Sequence, residues 1–467
     1  MTVKIDKNNA ADAAQGGYAD KQMKTTLVIN TIQKKCEESN HLILQQINYA
    51  INDFGATSKL NALVLTGGFT NYSYKIFVDN HLDLCVFAKL MFDSAPWNPD
   101  KNARFDLART QNEYNIMKEF SEVDSDSCVA NPLACWNVEQ DGEKMKLLVT
   151  EWSEGTEQFA NQFIDGCVDP RIAPKLSSTL MKLHTMKFDP NFNKEVQPYI
   201  KSMNQVRRRI LIEMASNDTP KDRTESYCRM LGKDIIMNII DASSADENKC
   251  ESLQHHDPHV FNVLVEAKPS VEESQSFGPN GNVVLCDWEF ARAGPLGYDA
   301  GLVLTWPIVC VMAHALSGNE DGWKNVAIFV ENFMSEYMSK MIELGKTPGE
   351  LSIIYRRIVA QCGWFCFSAF YINGCFIDES PCRDKALLRD SLGTFALKAM
   401  RFGYDNDFLP QSTDLDELRS IFDFLLDMEL KSLEEERQKR KSSLLRASVR
   451  RISDATLMEM DKEPIKQ

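Results

Sequence analysis

Two short stretches decide how this chain is read: His255-His256-Asp257-Pro258-His259-Val260-Phe261-Asn262, running into Val263-Leu264-Val265, and Val283-Val284-Leu285-Cys286-Asp287-Trp288-Glu289-Phe290. In the first, an aspartate is followed five residues later by an asparagine at the mouth of a buried strand. That spacing places a base and an oxygen ligand for a metal together. In the second, Asp287 and Glu289 stand at i and i+2 just past a strand end, where carboxylate oxygens can share a divalent cation. The three histidines around Asp257 invite a zinc reading, but His255, His256 and His259 have neither cysteine partners nor the spacing of an HExxH helix.

Outward from these stretches the chain divides by texture. Before them, Ala62–Leu65, Tyr72–Val78 and Asp83–Leu90 alternate as strands, with Thr66-Gly67-Gly68-Phe69-Thr70-Asn71 as a glycine turn between the first two. Two more strands are expected near 134–138 and 146–150, and a helix over about 104–120. Glycines at such a turn let backbone N–H groups approach an anion, although Gly-Gly is also an ordinary hairpin turn. Lys89 ends an apolar strand and Glu113 lies on the following helix; together they can hold nucleotide phosphates, whereas each alone reads as a solvated charge. After Glu151-Trp152-Ser153 the pattern is mostly helical, over about 171–187, 196–216, 225–242, 296–316, 322–344, 350–372 and 382–402. The expected segments are a flexible polar end at 1–22, a β-rich lobe at 23–150 that opens with a helix over about 25–54, a helical lobe at 151–411, and a C-terminal helix with a tail at 412–467. A cleft between two such lobes is a common place for a ligand.

The order of glycine turn, strand lysine, helix glutamate, H-x-D-x-H-x-x-N and D-x-E resembles the protein-kinase-like small-molecule kinases, which include the aminoglycoside phosphotransferases, choline and ethanolamine kinases and methylthioribose kinases. The resemblance spans about residues 40 to 402. It implies an α+β, two-lobed kinase-like fold with a small antiparallel sheet lobe and a larger helical lobe. The implied activity is transfer of the γ-phosphoryl group of ATP, with magnesium, to a hydroxyl of a small metabolite. Asp257 would be the catalytic carboxylate, Asp287 and Glu289 would hold magnesium with help from Asn262, and Lys89 would pair with Glu113 and the phosphates. Gly67, Gly68 and Asn71 would shape the phosphate turn, and Glu151, Trp152 and Ser153 would form the hinge that receives adenine.

Methylthioribose is the first acceptor to consider. Asp287-Trp-Glu-Phe-Ala-Arg-Ala-Gly-Pro-Leu-Gly-Tyr-Asp-Ala-Gly301 is similar to a methylthioribose kinase segment, Trp97-Asn98-Pro99 is similar to its tryptophan loop, and Arg356-Arg357 resembles an arginine pair that contacts the sugar. Asn262, Trp288 and the Gly67-Gly68-Phe-Thr-Asn71 turn are closer to choline kinases and aminoglycoside phosphotransferases, so choline or ethanolamine comes second. For choline, Trp306, Trp364, Phe365, Phe367 and Tyr371 could line a cage for the quaternary nitrogen. The alternative from another class is a catalytically inactive kinase-like binding module.

Composition agrees with this reading. The chain has 467 residues with 43% hydrophobic content, enough for more than one domain-sized unit. A net charge of −15 argues against a dedicated nucleic-acid binder. Thirteen cysteines without a CxxC pair, and a polar start without the apolar segment of a secretory signal, point to a reduced, cytoplasmic protein. The apolar runs 300–316 and 358–377 carry Pro307, His314, Gln361 and Asn373 and are expected to be buried helices, with no membrane span. In the tail, 437–451 holds seven basic residues and no acidic one, which leaves an anionic surface as a possible contact and Ser448 and Ser453 as phosphorylation candidates.

Overall fold

The computed structural model describes residues 7–52, 58–65, 71–93, 106–124, 128–267, 281–374, 376–405, 414–420, 422–423, 425–435 and 438. Gly67, Gly68, Trp97 and the basic tail with Ser448 and Ser453 lie outside them.

The first lobe is built on a five-stranded antiparallel sheet in the order β1-β2-β3-β5-β4: β1 Leu60–Leu65, β2 Asn71–Val78, β3 His81–Phe92, β4 Pro132–Gln140 and β5 Glu143–Glu151. Strand side chains alternate between faces, and here the two faces do different work. Tyr74, Ile76, Ala88, Leu90, Leu147 and Val149 point to one side and form a core with Val28, Ile32, Leu44 and Ile47. Those four residues come from helices α1 (Lys7–Cys36) and α2 (Leu42–Asn52), which cover that face. Ser73, Phe87, Lys89, Leu148 and Thr150 alternate with them and face the cleft. In β3, Lys89 pairs with Ser73 on one neighbour and Leu148 on the other, which fixes it in mid-sheet. Helix α3 (Ala108–Val123) crosses behind the cleft and buries Arg109, Glu113, Ile116 and Phe120.

Two expectations for this lobe change. The helix expected over 25–54 is two helices, because Ser39 and His41 form a turn in which the His41 N–H donates to Ser39 Oγ at 3.1 Å. The segment expected to be a flexible end is helical from Lys7 onward.

The second lobe begins with β6 (Thr156–Gln158), α4 (Ala160–Asp165) and α5 (Ile172–Thr185), followed by α6 (Gln197–Ala215) and α7 (Arg223–Glu247). Three strands and a short pairing then frame the site. β7 (Ser252–Gln254) pairs with β10 (Arg292–Gly294), and β8 (Val263–Glu266) pairs with β6 and β9 (Val283–Leu285). The helices α8 (Tyr298–Ser317), α9 (Glu320–Glu343), α10 (Pro348–Phe365) and α11 (Lys385–Tyr404) complete the core. Helix α8 is long and apolar enough to cross a membrane, but 83% of its apolar window is buried inside the lobe, so its all-round hydrophobicity matches a central position. Helix α10 runs on into a π-helical segment, Cys366–Ile372. Residues 415–420 and 425–435 are helical, and Leu418, Phe422, Leu425 and Leu426 bury on the same large core. The result is the expected α+β arrangement of a small antiparallel-sheet lobe and a larger helical lobe.

Candidate active site

The cleft holds a cavity of about 410 Å³. Its lining includes Lys89, Glu113, Asn262 and Asp287 together with Thr150, Glu151, Trp152 and Ser153. The three hinge residues expected from sequence therefore do face the cavity. The Glu151 N–H donates to Asn131 O at 2.9 Å, and the Ser153 carbonyl accepts from Thr156 Oγ1 at 2.8 Å. The Lys75 ammonium sits 4.5 Å from the Trp152 ring and 3.4 Å from Glu154, which holds the indole in place.

Asp257 is positioned by its neighbours. His255 and His256 donate backbone N–H groups to Asp299 Oδ2 and Oδ1 at 2.7 and 2.8 Å. This fixes the loop despite a φ of 65° at His256, a left-handed conformation that a non-glycine residue adopts at a cost. Asp299 is fully buried in the first turn of α8 and also meets His184 Nε2 at 3.3 Å. On the other side, Asn262 Nδ2 donates to Asp257 O at 3.0 Å and Oδ2 at 3.4 Å, and His259 Nε2 lies 3.6 Å from Oδ1. Burial, and then the charges of Asp287 and Glu289, hold the Asp257 carboxyl well above the usual carboxylate range. Burial also keeps His259 neutral, with its pKa lowered to about 4.

Lys89 pairs with Glu113, as the resemblance implies. Lys89 Nζ lies 3.1 and 3.2 Å from the Glu113 oxygens, contacts Asp287 Oδ1, and is 3.7 Å from Glu289. Burial opposes the charge on Lys89, but Asp287, Glu113 and Glu289 outweigh it and hold the ammonium firmly protonated. Burial pushes Glu113 up to about 7 against the pull of Lys89. Burial also works against ionised Asp287, but Lys89 overrides it and leaves that carboxyl below its ordinary value. Glu113 Oε1 accepts the Trp288 N–H at 3.1 Å, so helix α3 holds the segment after β9 directly. Asp287 itself takes a left-handed φ of 66°, which turns its side chain out of line with the strand before it.

Carboxylate oxygens of Glu113, Asp287 and Glu289 all lie within 4.8 Å of one another, a donor set suited to a hard divalent cation. Asp287 is the open member, with its side chain one-third exposed, while the side chain of Glu289 is 1% exposed. Asn71, expected at the phosphates, instead points inward, and its Nδ2 donates to Glu289 Oε2 at 3.1 Å. Among the described residues no metal-ligating cluster includes the three histidines.

Arg356 and Arg357 are corrected. Neither lines the cavity. Arg357 is buried, pairs with Asp246 at 2.6 Å and Glu251 at 2.9 Å, and donates to Leu296 O. Arg356 Nε donates to Phe402 O at 3.2 Å. An arginine pair that ties α10 to α7 and α11 reads in sequence like one that meets a substrate. Of the suggested aromatic cage, Trp306, Trp364 and Phe367 are buried in the core, Tyr371 donates its hydroxyl to Asp222, and half-buried Phe365 lies with its ring 6.5 Å from that of His259.

Two residues of the site escaped the sequence reading. Asp299 sits within the quoted segment 287–301, but nothing there marks it as the acceptor for the loop before Asp257. Arg109 lies four residues before Glu113, on the same face of α3, and that spacing was its one signal.

No family model matches the chain, and no curated protein matches it. Among solved structures it is similar to an aminoglycoside phosphotransferase from Alicyclobacillus acidocaldarius subsp. acidocaldarius, at 15% identity over 81% of this chain and 92% of that one, with a TM-score of 0.38. It is also similar to a glucosamine kinase in complex with glucosamine, ADP and inorganic phosphate, at 12% identity over 83% and 84% of the two chains, with a TM-score of 0.39. A thermostable mutant aminoglycoside phosphotransferase in ternary complex with AMP-PNP and hygromycin B is similar at 12% identity over 77% and 98% of the two chains, with a TM-score of 0.39.

Proposed function

We propose that this chain is an ATP-dependent phosphotransferase that moves the γ-phosphoryl group to an alcohol oxygen of a small metabolite. The observation that carries this reading is the meeting, in the cleft cavity, of the Lys89–Glu113 pair with Asp287 and Asn262, beside an Asp257 held by Asn262 at the end of a loop whose His255 and His256 N–H groups Asp299 accepts. In the reaction the acceptor oxygen bonds to the γ-phosphorus as the bond to the β–γ bridging oxygen breaks. ADP leaves with that electron pair, and the acceptor proton passes to Asp257. No covalent enzyme intermediate is required, so positioning and charge neutralisation supply the catalysis. Asp287 and the Asn262 amide oxygen would hold magnesium, which supplies positive charge against the phosphates.

The acceptor is an alcohol of open identity. Methylthioribose stays first on the panel because of the segment Asp287–Gly301, now without arginine contacts to the sugar, and choline and ethanolamine follow. The test is ADP release against these acceptors, glucosamine and an aminoglycoside, for wild type and Asp257→Ala. Acceptor-dependent turnover that D257A loses supports the reading. Nucleotide binding indifferent to magnesium, with no turnover on any acceptor, favours the inactive binding module.

A further inference from the structure

Glu289 stands two residues from Asp287, and its distance to Asp287 and Glu113 alone would make it a metal ligand. Its surroundings say otherwise. Glu289 Oε2 lies 3.3 Å from Arg109 Nε, receives Asn71 Nδ2 at 3.1 Å, and has Lys89 Nζ at 3.7 Å. Arg109 has no exposed surface, and its Nη2 donates to Asn71 Oδ1 at 3.2 Å and to Phe92 O at 3.4 Å. Asn71, Arg109 and Glu289 thus close a ring in which Asn71 donates to the glutamate and accepts from the arginine. A buried carboxylate needs such donors to stay ionised; all three meet Oε2, and with its side chain 1% exposed Glu289 offers an ion from solution no open approach, unlike Asp287.

The ring joins three separate parts of the chain. Asn71 is the first residue of β2, directly after the glycine turn. Arg109 is on α3, one helical turn before Glu113. Glu289 follows β9 and shares its segment with Asp287. Helix α3 therefore grips that segment twice: Glu113 holds the Trp288 N–H and Arg109 holds the Glu289 carboxylate.

We infer that Asn71, Arg109 and Glu289 form a buried clamp that positions Asp287 beside Lys89, and that Glu289 is a positioning residue and no ligand of the metal. This rests on the phosphotransferase reading for its consequence in turnover, though not for its existence. It replaces the sequence-derived roles of Asn71 at the phosphates and Glu289 at the magnesium.

The test measures ADP binding by calorimetry with magnesium and with EDTA, in wild type, Asp287→Asn, Glu289→Gln and Arg109→Met. Asp287→Asn is expected to remove the affinity that magnesium adds, whereas E289Q and R109M retain it within about threefold, as expected of groups that do not touch the ion. R109M is expected to lower kcat per folded molecule at least about tenfold with KM for ATP changed less than about threefold. An unchanged kcat would reduce the clamp to a structural role and overturn the positioning claim. An E289Q variant that loses the magnesium effect as fully as D287N would make Glu289 a ligand and overturn the inference.

A second measurement needs no ligand. In urea unfolding, the double variant R109M/E289Q should be no less stable than the worse single variant, because each single change strands one buried charge and the double strands neither. Additive losses would refute the clamp. Asn71→Ala, which leaves the Arg109–Glu289 pair in place, guards against misfolding of the arginine variant and should lower kcat in the same sense by a smaller factor. Wild-type protein that binds no nucleotide would refute the phosphotransferase reading, and the unfolding cycle would then decide the clamp by itself.

Discussion

Replacing Asp299 by asparagine tests whether the position of Asp257 is set from beneath. Asp299 accepts two backbone N–H groups, from His255 at 2.7 Å and His256 at 2.8 Å, from a site with no exposed surface. Hydrogen bonds to a charged acceptor are worth about 1.5–3 kcal/mol each. Asparagine keeps one carbonyl oxygen for one of these donors but sets its NH2 group against the other, so Asp299→Asn should cost about 2–4 kcal/mol of stability. The sign with pH follows from the carboxyl itself. Burial opposes its ionisation, but the hydrogen bond and charge of His184 prevail and lower its folded pKa below the ordinary value of 3.8. Its contribution is therefore complete above about pH 4 and is lost as pH falls through the lowered folded value. The stability difference between wild type and variant should therefore shrink as pH falls below about 4, as read from urea midpoints. In turnover, a loop free to move by about 1 Å should lose about 100-fold in kcat. The lining of the cleft cavity does not include Asp299, so KM for ATP should stay within about threefold. An unchanged kcat with the expected loss of stability would refute the positioning role. A rise in KM for ATP with kcat intact would place the effect of Asp299 at the nucleotide instead.

Lys89→Met leaves Glu113, Asp287 and Glu289 without their shared cation and should cost about 3–5 kcal/mol in urea unfolding, together with the magnesium-dependent binding of ADP. Glu113→Gln should cost clearly less near pH 7, because the native carboxyl already titrates at about 7; equal losses for the two variants would contradict that. The rate should rise with pH as the raised Asp257 carboxyl gives up its proton, so kcat/KM should show its acidic limb above the ordinary carboxylate range near 4. His259, lowered to about 4, adds no limb near 6.5, and one that disappears in His259→Gln would count against this assignment. Arg357→Met should destabilise the protein by about 1.5–3 kcal/mol, since it removes the charged hydrogen bonds to Asp246 and Glu251 while Lys249 still pairs with Asp246 at 2.6 Å, and should leave the KM for any acceptor in place. A selective rise in acceptor KM would return Arg357 to the substrate.

What the sequence made legible is the set of residues whose chemistry depends on local spacing. Asp257 and Asn262 are five apart across one turn, and Asp287 follows a three-residue buried strand, so both segments announce themselves without tertiary information. Lys89 was legible because alternation along β3 puts residues 87 and 89 on the face opposite 88 and 90. What alternation and spacing cannot show is which partner a charged side chain finds across the fold. Arg109 and Arg357 are both buried arginines on helices, and both end in carboxylates from segments more than 100 residues away. Nothing in either helix distinguishes the arginine beside the active site from the one that ties the helical lobe together. The Asn71 side chain shows the same limit. Its place after the glycine turn suggested phosphate, but the arginine and glutamate that capture it lie 38 and 218 positions away.

The charge of the cleft explains why the site is arranged in this way. Lys89 and Arg109 stand against Glu113, Asp257, Asp287 and Glu289, so two cations face four carboxyls before any polyphosphate arrives. Burial works against that excess, since it raises both Glu113 and Asp257 toward the protonated form. The remainder is divided by location. Arg109 neutralises Glu289 inside the lobe contact, which leaves Lys89 and Asp287 at the open side of the cavity. A nucleotide adding several negative charges there would draw Lys89 toward its phosphates and release part of the cation's hold on Asp287 and Glu113. A divalent cation held through Asp287 then becomes an electrostatic requirement of the same rearrangement, because otherwise the phosphates and carboxylates would share one lysine. The net charge of −15 therefore weighs on function through this one cluster, where the chain keeps a fixed cation for the buried glutamate and leaves the exposed aspartate for an ion from solution.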